Sequence, residues 1–249
     1  MTVKPRVICR IDLKGKQLIK GRSFEGVRVI GSVEHAVEKA ENCGFDELFL
    51  LDSVASLYDR EPEWALLKDI LQSVSIPVCV GGGIRSIDDV CRLFDLGVER
   101  ICINSHAFIN QSLLPEASQL FGSQAVVSSV QCVKINGSYI ASFHCGREPS
   151  SYSVLPWMKM CIERGAGEIF LTSIKADGQS SGFDTELVEA LHVGGVSVPV
   201  VYSGGVVSNE EIQKLFYEGF DAIAIGFAFH SGNFLPEFSQ RNQLIIDSE

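Results

Sequence analysis

The chain has 249 residues, 46% of them hydrophobic, enough to bury a full core in one large α/β domain. A formal net charge of −10 argues against nucleic acid or an anionic membrane as the main partner, because either needs a basic surface to neutralise phosphates. No apolar run reaches the length of a membrane span, and the opening Met1-Thr2-Val3-Lys4-Pro5-Arg6 lacks the apolar stretch of a secretory signal, so a soluble cytoplasmic protein is expected.

Strands are predicted near 6–12, 47–52, 77–81, 100–104, 125–132, 168–173, 199–203 and 222–226, most of them near-continuous apolar runs that suit a parallel sheet covered on both faces. Amphipathic stretches such as Ser32 to Cys43, Glu63 to Ser73, Ser86 to Leu96, Leu155 to Arg164, Thr185 to His192 and Ser208 to Glu218 separate them as helices. Lys134 to Phe143 reads as a hairpin-like insertion after the fifth strand. The segment from Ile76 to Gly83 returns 122 residues later as Val198 to Gly205, and each copy is followed by a Leu-Phe-x-x-Gly helix end, at Gly97 and Gly219. Strict alternation with two similar halves predicts a single (β/α)8 barrel over 1–249; a doubly wound open sheet would not need its halves to match. The eight cysteines show no Cys-x-x-Cys pair, so buried reduced thiols are expected, with no metal site, disulfide framework or cofactor.

Function in such a barrel belongs at the C-terminal strand ends. Gly81-Gly82-Gly83, Asn104-Ser105, Asp177-Gly178, Ser203-Gly204-Gly205 and Gly226 all fall there. Small residues let backbone N–H groups approach an anion, so two phosphate cradles are expected, one per half, built from Gly83, Asn104, Ser105, Asp177, Gly178, Gly204, Gly205, Gly226 and Phe227. The plainer reading of the same glycines is tight turns. The first strand of each half ends in a polar residue, Asp12 in one and Gln131 in the other, so a site that would pair two carboxylates has one. Alternation turns Arg10 inward with Asp12, and an interior guanidinium needs a partner: Asp12, or Ser129 across the barrel.

Arg6 to Gly21, Glu47 to Glu61, Val80 to Ser86, Phe121-Gly122-Ser123-Gln124, Gly165 to Asp184 and Ser203-Gly204-Gly205 closely resemble the cyclase subunit of imidazole glycerol phosphate synthase, over nearly the whole chain. The sister isomerase of that pathway shares the barrel and the phosphate sites, but not the Lys20 loop or the run from Asp177 to Asp184 in this form. The resemblance implies a barrel that receives ammonia from a class I glutaminase partner at its N-terminal face. That ammonia attacks a bis-phosphorylated ribulosyl aminoimidazole carboxamide nucleotide at the other face. It assigns catalysis to Asp12, to Lys20 on a loop after strand one, and to the position of Gln131, where the family carries a second carboxylate. An ammonia gate is implied at Arg6, Glu47, Arg100 and Glu168, which a structural salt-bridge layer would equally explain, and a glutaminase contact at Glu99. His144 and His230 match structural histidines of the family, whereas His106 is a candidate to stand in for the missing carboxylate.

Besides Gln131, two residues depart from the family: Arg10 stands where a small or apolar residue is usual, and Phe227 replaces a small polar one. Gln131 cannot exchange a proton near neutral pH. Three readings follow: a working cyclase, a divergent paralogue that delivers ammonia to another amidation such as sugar modification, and a non-catalytic subunit that activates its glutaminase.

Overall fold

The computed structural model of the chain describes residues 5–237. Twelve strands follow in chain order: β1 Arg6–Lys14, β2 Gln17–Arg22, β3 Glu25–Ser32, β4 Glu47–Asp52, β5 Val78–Gly81, β6 Arg100–Ile103, β7 Val126–Ile135, β8 Ser138–Phe143, β9 Glu148–Ser153, β10 Glu168–Ser173, β11 Val200–Ser203 and β12 Ala222–Ile225. Eight of them, β1, β4, β5, β6, β7, β10, β11 and β12, pair in parallel in that order, and β12 returns to β1, so the sheet closes into a (β/α)8 barrel. The predicted strands fall on these eight because most are near-continuous apolar runs with water on neither face.

The two halves share more than the echo. Each opens on a barrel strand that runs on into an antiparallel hairpin: β1 into β2 and β3, β7 into β8 and β9. The second is the predicted insertion, turned by Asn136 and Gly137, both at positive φ as a two-residue hairpin loop requires. The first was expected as a loop and is a hairpin instead. The halves also repeat one helix start. Ser86 accepts from the Asp89 N–H at the head of the Ile87–Asp95 helix, and Ser208 accepts from the Glu211 N–H at the head of Asn209–Tyr217. In both, the carboxylate reaches back to a backbone N–H, that of Arg85 at 2.9 Å and that of Val207 at 2.8 Å.

Register stacks the inward side chains in layers drawn from alternate strands. Glu47, Arg100, Glu168 and Ala222 lie lowest; Ile8, Cys79, Val127 and Val201 come next; then Phe49, Cys102, Phe170 and Ala224; then Arg10, Gly81, Ser129 and Ser203. The two middle layers form an apolar cluster separate from the larger core between sheet and helices. Polar groups therefore gather at the two ends of the barrel, and each end can carry its own chemistry.

Candidate active site

Asp12 is 5% exposed at the top of β1. Its carboxylate accepts from Arg10 Nε at 2.9 Å, Lys20 Nζ at 2.5 Å and Ser53 Oγ at 2.8 Å. Arg10 Nη1 donates to Asp177 at 2.9 Å and to Ser203 at 3.2 Å, and Lys20 donates to Asp177 at 3.0 Å. Two cations and two carboxylates thus form one closed, buried cluster. Burial works against ionised Asp12, yet Arg10 and then Lys20 outweigh it and hold the carboxyl well below the usual carboxylate range. Burial likewise opposes the Arg10 cation, and Asp12 and Asp177 hold it protonated.

Two expectations are corrected here. Lys20 is not on a loop: it lies on β2, buried, because the hairpin folds over the barrel mouth and docks on the segment after β10. There the Ser23 N–H donates to the Asp177 carbonyl at 2.8 Å, and the backbone of Gly21 comes so near Gly178 that an added Cβ would lie 2.1 Å from its oxygen. Asp177 lines the second cavity, as a cradle residue should, but its carboxylate accepts from Arg10 and Lys20 and would repel a phosphate, so the side chain itself is no phosphate ligand. Arg10 pairs with Asp12 as expected, but finds Ser203 and Asp177 rather than Ser129.

Arg10 also divides the top of the barrel into two cavities and is the one residue among those described that lines both. The first includes Gly83, Asn104, Ser105, His106, Gln131 and Phe170 in its wall; the second includes Gly178, Ser203, Gly204, Gly205, Gly226 and Phe227. Not every cradle residue is free for a ligand. Asn104 Nδ2 donates to the carbonyls of Ser129 at 2.9 Å and Ser142 at 3.2 Å, and the Ser105 hydroxyl accepts from the His144 N–H at 3.0 Å. The glycines remain the common element of both walls. At Gly205, φ is +84° and an added Cβ would sit 2.1 Å from the Gly182 carbonyl oxygen. Gly205→Ala is accordingly expected to lower stability by about 2 kcal/mol or more. Gly97→Ala, at φ +93° with nothing within 4 Å of the new carbon, should show the backbone cost alone, and denaturant midpoints of the two variants check the difference.

Gln131 faces the first cavity, and its Oε1 is buried without a hydrogen-bond partner among the described residues. Oε1 accepts and the amide nitrogen can donate a hydrogen bond, but the side chain does not exchange a proton near neutral pH. Burial lowers the pKa of His106, on the same wall, before Arg85 adds to the effect, so its neutral form prevails. Ser53 escaped sequence reasoning, although its place just past the end of β4 was a sufficient signal. His230 stands below the cluster with Nε2 at 2.9 Å from the Arg10 carbonyl oxygen. Burial brings its pKa down to about 4. The unfolded chain then binds more protons than the folded one between about 6.5 and 4, so stability present above pH 6.5 is lost as pH falls through that window. A loss of about 1–3 kcal/mol, absent in His230→Gln, is expected in denaturant titrations at pH 7 and pH 4.

The other end of the barrel carries the ion ring. Arg6 pairs with Glu47 at 2.9 Å and with Glu168, and Arg100 pairs with both carboxylates. Glu47 is 2% exposed, and burial pushes its pKa up to about 7 against the pull of Arg100 and Arg6. Glu99 is exposed beside Arg100. The sequence brought all four ring residues together at the mouth opposite Asp12, Lys20 and Gln131.

The profile of the family described as "Histidine biosynthesis protein" matches residues 6–235. The chain is 37% identical over 233 residues to the imidazole glycerol phosphate synthase subunit HisF of Myxococcus xanthus, covering 93% of this chain and 91% of that protein. It is 41% identical over 209 residues to the HisF subunit of Legionella pneumophila, covering 84% and 98%, and 37% identical over 231 residues to that of Helicobacter hepaticus, covering 92% and 91%.

Proposed function

We propose, because the chain belongs to the HisF family of histidine biosynthesis proteins, that it is the cyclase subunit of an imidazole glycerol phosphate synthase. It takes ammonia from a glutaminase subunit at the ion-ring mouth. It adds that ammonia to a bis-phosphorylated aminoimidazole carboxamide nucleotide at the opposite face. The relatives are each named a subunit, which supports a partner chain, and Glu99 on the rim of the ring is where that chain docks. The observation that carries the reading is the pair of glycine-walled cavities on either side of Arg10. A ligand with a phosphate at each end spans the two, and its reactive centre then lies over Asp12, Lys20 and Gln131.

Imine formation followed by ring closure needs a proton removed at one point and delivered at another. Asp12 is ionised at working pH, and Lys20, 2.5 Å from it, is the nearest proton donor. Gln131 takes no proton; its bare Oε1 accepts from the substrate carboxamide or from incoming ammonia and orients it. The test is turnover of the phosphoribulosyl carboxamide nucleotide with ammonium salt by the purified chain, followed as product release.

One observation favours a second reading. Arg10 clamps Asp12 through two nitrogens at 2.9 Å, and a carboxylate so held is a poor base. With Gln131 inert, the site then suits delivery of ammonia to a different acceptor in another amidation. The same assay separates the readings, since that barrel binds ammonia's route but not this substrate's chemistry.

A further inference from the structure

Between the ion ring and the upper cavity, the barrel axis is blocked by two aromatic rings. Phe49 on β4 and Phe170 on β10 lie on the second and sixth of eight barrel strands, which face each other across the axis. Their exposures are 0% and 1%, and the ring centroids are 5.0 Å apart at an interplanar angle of 61°. Edge-to-face contact at that distance leaves no room for a molecule between the rings. The other two members of the layer, Cys102 and Ala224, are small, so the large pair occupies the axis itself. A cation covers each end of the pair: Arg100 stands 5.8 Å from the Phe49 centroid on the ring side, and Arg10 stands 5.8 Å from the Phe170 centroid on the cavity side. Phe170 is at the same time part of the wall of the upper cavity, with Gln131.

We infer that the Phe49–Phe170 pair is the closure of the axial passage: it isolates the ion ring from the upper cavity, and ammonia crosses only when Phe170 turns out of the pair toward that cavity. The inference rests on the reading that nitrogen reaches the top of this barrel through its core. It adds that the open path is not the resting state, and that these two side chains, rather than the ion ring alone, decide when nitrogen arrives.

The neighbouring thiols report on the closure without any acceptor. Cys79 lies one layer toward the ion ring, while Cys102 lies in the layer of the pair and borders the upper cavity. The intact protein is treated with methyl methanethiosulfonate, a small uncharged thiol reagent, and modification of each cysteine is followed by peptide mass spectrometry. Cys79 is expected to react about tenfold more slowly than Cys102, and to gain about tenfold in Phe170→Ala. The milder Phe170→Leu, which keeps an apolar side chain should the alanine variant fail to fold, is expected to give a smaller gain at Cys79. Equal Cys79 rates in the unaltered protein and in a folded variant would overturn the closure. Labelling decides this whichever way the turnover assay falls: slow Cys79 labelling in a barrel that turns over nothing refutes the cyclase reading and keeps the closure.

Discussion

Asp177→Asn is expected to cost about 3–5 kcal/mol of stability. Asp177 is 3% exposed and accepts from both Arg10 and Lys20. Its removal leaves two buried cations facing one carboxylate, Asp12, in surroundings that cannot solvate the excess charge. The cost lies in the uncompensated cation more than in the missing hydrogen bond, and a second change should reveal that. Arg10→Met restores the balance, with one cation and one carboxylate left, and keeps an apolar side chain over Phe170. The double variant is therefore expected to recover more than half of the loss, a coupling read from a double-mutant cycle of denaturant midpoints. A loss below about 1 kcal/mol in Asp177→Asn would mean that water reaches the cluster and that Arg10 is not a buried clamp.

Gln131→Asp is expected to raise ammonium-driven turnover about a hundredfold, with the gain in kcat and little change in KM. The gain would come from pKa. Arg10 and Lys20 hold Asp12 down. An aspartate at 131, one methylene shorter, would end short of the buried point where Gln131 Oε1 finds no partner among the described residues, and desolvation in that wall would push its pKa up. Two carboxyls of opposite tendency then divide the base and acid tasks, an arrangement the unaltered site lacks. Unchanged turnover in a variant that still binds substrate would place the second proton-handling group elsewhere on the cavity wall, with His106 the first to replace.

Much of this was legible in the chain, for identifiable reasons. Barrel strands declare themselves because burial on both faces favours near-continuous apolar runs, as in Val78–Gly81 and Ala222–Ile225, where every residue is buried. The ion ring was legible only through the family resemblance, and the structure places each of its charges at the start of a barrel strand. The β2–β3 hairpin was not: β3 is exposed along most of its length and interrupted by Gly26 and Gly31, so no alternation marks it. That omission carried the error over Lys20, which looks solvated in sequence and is buried only because the hairpin folds across the mouth. Alternation gave Arg10 its direction and its first partner. It could not give Asp177 and Ser203, which depend on how a long guanidinium reaches across the axis. The identity of Phe49 and Phe170 as facing residues likewise follows only from closure of the sheet, which sets the second strand opposite the sixth.

Addition of nitrogen to a two-phosphate substrate over Asp12, Lys20 and Gln131 is the reaction proposed for this barrel. Its most direct test is single-substrate turnover by the purified, unaltered chain, without a glutaminase, given the phosphoribulosyl aminoimidazole carboxamide nucleotide and excess ammonium salt. Slow but measurable release of imidazole glycerol phosphate, abolished in Asp12→Asn, is the predicted result. Substrate that binds both cavities and yields no product at any ammonium concentration would contradict the claim and leave this barrel as a carrier of ammonia to another acceptor.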